Sequence, residues 1–187
     1  MLTFPVSYLY ESGNPQDCAK FIETAFAVAE ECSADTRNLR SALHNLRGSL
    51  AATSNDRKTA VIENEKFLEI EEELYNETGK LTSRLASGYS EVGRVNIMRG
   101  MFEGVGDLFE RSIEIRRELP SYSKLQLYNP VRGLAMMYYY YHDNEMAEEK
   151  LLELLHDRER DFGINDREGG RYNFSLSIIL KQLVKAG

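Results

Sequence analysis

Tryptophan is absent from the 187-residue chain, and proline (4 residues) and cysteine (2 residues) are scarce. Pro5, Pro15, Pro120 and Pro130 all fall where helix edges are expected, since a residue without an N–H is excluded from helix interiors. Cys18 and Cys32 share one expected helix, about four turns apart, too far to bridge. They read as reduced thiols of a cytoplasmic protein. No apolar run approaches the ~20 residues that cross a bilayer, so no membrane contact is expected. The opening MLTFPVSYLYESG has neither a basic flank nor a long apolar stretch, and a secretory signal is not expected. Basic residues are outnumbered 23 to 30, leaving a net charge of −7. Nucleic acid needs a concentrated basic face and is not an expected partner. No run of alternating β-branched residues lies between tight turns, which argues against strands.

What is present is helical periodicity. Apolar residues are 42% of the chain and recur at spacings of three and four, interrupted at Gly, Asn, Asp and Pro. The first helix is expected from Pro15 to Cys32, capped by Asn14, with Cys18, Phe21, Ile22, Ala25, Phe26 and Ala29 as its apolar stripe. The second spans about Thr36 to Thr53, with Leu39, Leu43, Leu46 and Leu50 on one face. Further helices are expected to about Asn76, over Leu81–Arg99, to about Leu119, over Asn129–Tyr141, over Glu145–Phe162 and near Tyr172–Lys185. The spacing thus predicts about eight helices joined by short turns, an all-α chain of antiparallel neighbours.

These helices repeat. Leu85 to Gly93, with the large–small pair Val92-Gly93, leads to the turn glycine Gly100, then Val105 and Phe109. The skeleton returns as Leu134-Ala135, the turn at His142-Asp143, then Ala147 and Leu151. In the second unit it is expected as Leu46-Arg47, turn residue Ser54, then Thr59 and Glu63. On these residues the sequence resembles the tetratricopeptide repeat (TPR) family in its long-repeat, kinesin-light-chain-like form. Phe67-Leu68-Glu69-Ile70, Glu77-Thr78-Gly79, Arg84-Leu85-Ala86-Ser87, Ser112-Ile113-Glu114 and Leu119-Pro120-Ser121-Tyr122 are closest to a group of fungal TPR proteins. The resemblance implies helix pairs stacked as a right-handed solenoid over a single domain, 1–187. Its units run roughly 1–32, 36–78, 81–120 and 125–163, with a partial unit at 170–187. Both ends then fall mid-repeat. Their apolar faces, Phe4, Val6, Tyr8 and Leu9 at one end and Ile178, Ile179, Leu183 and Val184 at the other, are expected to form a homodimer or to fold back.

The family resemblance also implies a concave groove lined by the first helix of each pair. Carried over by position, its residues are Ser41, His44, Asn45 and Gly48, then Glu91, Arg94 and Met98. Asn129, Arg132, Met136, Tyr139 and Tyr140 follow, with Lys181 and Lys185 last. Arg and Asn bind carboxylates and peptide backbone, and Tyr and Met add adaptable apolar contact. That mixture suits a peptide or protein partner; the plain alternative is a solvated helix face. Four consecutive tyrosines, Tyr138 to Tyr141, point in four directions on a helix, with Tyr138 expected in the core. The second functional reading is a cofactor-free small-molecule enzyme (cyclisation, isomerisation or proton transfer) using Tyr139, Tyr140, His44, Glu91 and Arg94 as acid–base and orienting groups. His142-Asp143 and His156-Asp157 lack companion ligands, so no metal is expected, and no cofactor motif is present.

Overall fold

Helix starts follow the capping chemistry. The side chains of Asp56, Thr82 and Asp143 each accept the backbone N–H three residues on, at 3.1, 3.0 and 3.1 Å, which satisfies a donor that the first helical turn leaves open. The computed structural model describes residues 15–121, 123–162 and 181. Its helices are α1 (Pro15–Glu31), α2 (Arg37–Thr53), α3 (Arg57–Thr78), α4 (Ser83–Arg99), α5 (Val105–Glu118), α6 (Tyr128–Tyr140) and α7 (Asn144–Phe162). A short 3-10 helix, Lys124–Leu127, precedes α6. No strand occurs among the described residues. The Asn14 cap, the eighth helix apart from Lys181, and the apolar ends expected to dimerise lie outside them.

The described helices form two units, α1–α4 and α5–α7, parted after Met101. In the first, α2 packs on α1 and α3, and α3 packs on α4. Cys18 and Ile22 of α1 meet Leu46 and Leu50 of α2, while Ala51, Ala60, Val61 and Val95 join α2, α3 and α4. In the second unit α6 packs on α5 and α7, with Tyr128, Ala135, Ala147, Leu151 and Leu154 as its core.

The turns fix the repeat register. Asp56, Met101 and Asp143 each donate their N–H to the carbonyl five residues back, on Ala51, Asn96 and Tyr138, at 2.8 to 3.0 Å. The residue before each donor, Asn55, Gly100 or His142, has a left-handed φ of 59°, 73° or 61°. Asn and His tolerate that conformation better than most side chains. Counting from these bonds, Ala60, Val105 and Ala147 are equivalent and all are buried; Asn64, Phe109 and Leu151 follow one turn later. The second unit is therefore read one residue later than its sequence suggested. Its turn residue is Asn55 and not Ser54, and its core pair is Ala60 and Asn64 and not Thr59 and Glu63. The polar Asn64 in a normally apolar place hid the register.

Two carboxylates of α3 are buried, Glu63 at 5% and Glu71 at 2% exposure. Glu71 accepts hydrogen bonds from Ser41 on α2 and from Thr82 Oγ1 at 3.3 Å, and pairs with Arg84 Nε at 3.0 Å. One side chain thus ties α3 to the helix before it and to the start of the helix after it. Gly133 of α6 is needed for a different reason: a Cβ there would come within 2.3 to 2.6 Å of the ring carbons of Phe109. Gly106, in the first turn of α5, faces open space.

Gly133→Ala is expected to destabilise the protein by about 1–3 kcal/mol through overpacking. Gly106→Ala should be neutral or stabilising by up to about 1 kcal/mol. Urea denaturation of the two variants checks the pair, and equal effects would contradict the Phe109 contact.

Candidate functional site

The exposed surface of α6 collects one set of the expected groove residues. Asn129, Arg132, Met136, Tyr139 and Tyr140 follow spacings of three and four, which puts them on one helix face. Met136, Tyr139 and Tyr140 are 39%, 36% and 48% exposed. Met137 is buried and Tyr138 packs on the core of this unit. Tyr140 is fixed by stacking on Phe102, with centroids 3.4 Å apart and planes 19° apart. Tyr141 meets the Tyr140 ring edge-on at 5.4 Å, and its hydroxyl donates to the Phe102 carbonyl at 3.2 Å. The stripe thus ends in a rigid aromatic corner, an arrangement that offers contact area at low entropic cost.

The α4 residues form a local set. Arg94 bonds Glu91 through Nη2 at 2.6 Å and Nε at 2.8 Å, and its Nη1 lies 3.2 Å from the Met98 sulfur. These are neighbours at helical spacing, and all three are half-buried. Asn45 is also half-buried, and Lys181 is exposed.

The α2 residues divide. Ser41 is spent on Glu71, and Gly48 lies against the Asn64 amide. His44 is buried, with Nδ1 2.6 Å from Glu63 Oε2 and its ring 4.8 Å from that of Phe26. These three do not share an exposed surface with Asn45. Among the described residues no contact joins His44 to Glu91 or Arg94, the partners that an acid–base site in this unit would need.

What His44 does line is a crevice of about 630 Å³ bounded by α1, α2 and α3. Its floor is one stripe of α2, Arg37, Arg40, His44 and Arg47. Arg47 binds Glu23 at 2.8 Å, lies 3.6 Å from Glu63, and stacks 4.2 Å over the Phe26 ring. Arg37 is held at the crevice end by Asp35 and Glu77, and its guanidinium lowers the Asp35 pKa to about 2. Burial lowers the His44 pKa; Glu63 opposes that shift, and the Lys66 and Arg47 charges add to it. The imidazole is therefore neutral, with Nδ1–H donating to the carboxylate. The sequence held this stripe at 3-4-3 spacing, but the Leu39–Leu50 face drew the reading of the helix.

In the second unit the matching crevice, about 340 Å³ between α5, α6 and α7, has Lys124, Leu127, Val131 and Leu134 at the corresponding places. The register pairs them one for one with Arg37, Arg40, His44 and Arg47. In α4 those places hold Thr82, Leu85, Tyr89 and Val92. Only in α2 is every one of the four basic. Among the described residues no group of His, Cys, Asp or Glu is placed to hold a metal ion, and no helix is long and apolar enough to cross a membrane.

Because the folded protein resists protonating His44, the unfolded chain takes up the proton first as pH falls through the ordinary histidine value of 6.5. That stabilisation is complete above this value and is lost below it. The urea midpoint should fall between about pH 7.5 and 5.5, with a shallower slope in His44→Gln. Equal slopes in the two proteins would contradict a buried neutral imidazole.

No protein-family model matches the sequence, and no curated protein matches it. Solved structures do. BtubC (BKLC) from P. vanneervenii superposes with a TM-score of 0.75 at 15% identity, over 99% of this chain and 74% of that one. A putative kinesin light chain from Podosopora anserina with nearly identical TPR-like repeats matches at a TM-score of 0.66 and 14% identity, over 98% and 92%. A point variant of that protein matches at 0.67. At such identities the likeness is one of fold, and the fold of this chain is that of the TPR-like helical-repeat proteins.

Proposed function

We propose that this chain is a non-catalytic interaction module that binds a peptide or protein partner along the exposed stripe of α6. The observation that carries this reading is the stripe itself. Asn129, Arg132, Met136, Tyr139 and Tyr140 lie on one face and end in the corner stacked on Phe102. Arg132 supplies a planar fork suited to a carboxylate, and Asn129 pairs with peptide backbone. Met136 and Tyr139 supply the adaptable and the rigid apolar contact that such surfaces use. The TPR-like fold supports the reading, since repeat folds of this kind present extended binding surfaces.

Selection of displayed random peptides against the protein tests it. Binders should lose about tenfold or more in affinity against Arg132→Glu and against Tyr139→Ala. Loss at Arg132→Glu should weaken with added salt, as expected for a charge-assisted contact. Binders indifferent to both changes would overturn the α6 site.

A further inference from the structure

The crevice between α1, α2 and α3 is a second surface, built from other residues than the α6 stripe. Its floor is polar in places where the equivalent floor of the second unit is apolar: Arg40 for Leu127, His44 for Val131 and Arg47 for Leu134. Glu63, which binds His44, stands where the same register puts Lys150 in α7. Apolar residues fill the Arg40, His44 and Arg47 places in another repeat, so the basic floor is not a demand of the fold.

The crevice carries both signs of charge. Basic groups lie along the floor and at Lys66 on the α3 wall, and the walls carry Glu23 and Glu30 from α1 and Glu69 and Glu73 from α3. Arg37 and Arg47 are already paired. Arg40 and Lys66 make no ion pair among the described residues, and neither do Glu30, Glu69 and Glu73. A purely acidic ligand would meet the wall glutamates, and a purely basic one would meet the floor. The arrangement favours a ligand carrying both signs.

From Arg37 to Arg47 the floor is about 15 Å long at the helical rise. An extended chain covers that length with about five residues and points alternate side chains to opposite sides. Phe26 and Ile70 on the walls give it apolar flanks. We propose that this crevice binds an extended peptide segment of alternating acidic and basic residues, its acidic side chains on Arg40 and Lys66 and its basic ones on Glu30, Glu69 and Glu73.

Two capped peptides of about five residues and identical composition test this. One alternates lysine and glutamate, and the other carries the lysines and the glutamates in separate blocks. Fluorescence anisotropy at low salt should show saturable binding of the alternating peptide, with affinity about tenfold lower for its block isomer. Arg40→Glu and Lys66→Glu, both at exposed positions, should each weaken the alternating peptide about tenfold while circular dichroism stays unchanged. Arg132→Glu on α6 should leave it alone. Equal affinity for the two isomers, no saturable binding, indifference to Arg40→Glu, or loss at Arg132→Glu would each overturn the proposal. Because the α6 binders are scored on Arg132 and Tyr139, failure of one site is distinguishable from failure of the other.

Discussion

The register of the first unit depends on how α3 satisfies two carboxylates that it buries. Taking an ionised carboxyl out of water costs several kcal/mol unless partners replace the lost hydration. Glu71 obtains them from Ser41, Thr82 and Arg84, and Glu63 from His44 and Arg47. These partners come from α2 and from the start of α4, so the requirement becomes a positional constraint. A helix that must bring its donors to a fixed oxygen cannot slide by a residue against α3. Apolar packing at Ala51, Ala60 and Val95 supplies area without direction, and the carboxylates supply register. Thr82 shows the economy of the arrangement, since one hydroxyl caps α4 and donates to Glu71.

The same positions are handled differently elsewhere in the chain. Where the second repeat sets Arg47 on Phe26 and Glu63, the register of α6 and α7 offers Leu134 and Lys150. A helix-pair fold accepts either, because each crevice is only partly closed and long side chains bury their stems while keeping charge near water. Breaking one member of such a polar set leaves a charge without its partner. Replacing the whole set by apolar residues is often neutral or stabilising. The cluster of His44, Arg47 and Glu63 is therefore best understood through the surface it creates.

Most of the helices and their ends were legible because the caps and breakers are local: Asp56, Thr82, Gly79, Gly100 and Pro120 act within a turn of themselves. The register of the second repeat was hidden because Asn64 puts a polar residue at the core place that Phe109 and Leu151 fill in the other repeats. The turn bonds, from Asp56 to Ala51 and from Asp143 to Tyr138, are what fix it. The α6 face was legible as a stripe at helical spacing. The position of His44 was not, since three- and four-residue spacings place it equally well beside Ser41 and Gly48 or beside Arg40 and Arg47. The crevice joins residues of α1, α2 and α3 that are far apart in sequence, and no local pattern announces such a meeting.

The most direct test of this account is the stability of the triple variant His44→Val, Arg47→Leu, Glu63→Leu, which replaces the polar cluster by apolar residues, the first two being those at the equivalent places of α6. If the polar cluster is retained for the surface it forms, the variant will unfold at the same urea concentration as the parent or a higher one. A variant destabilised by about 3 kcal/mol or more, the loss that follows when a needed buried pair is broken, would show that the cluster holds the fold together and would contradict the account.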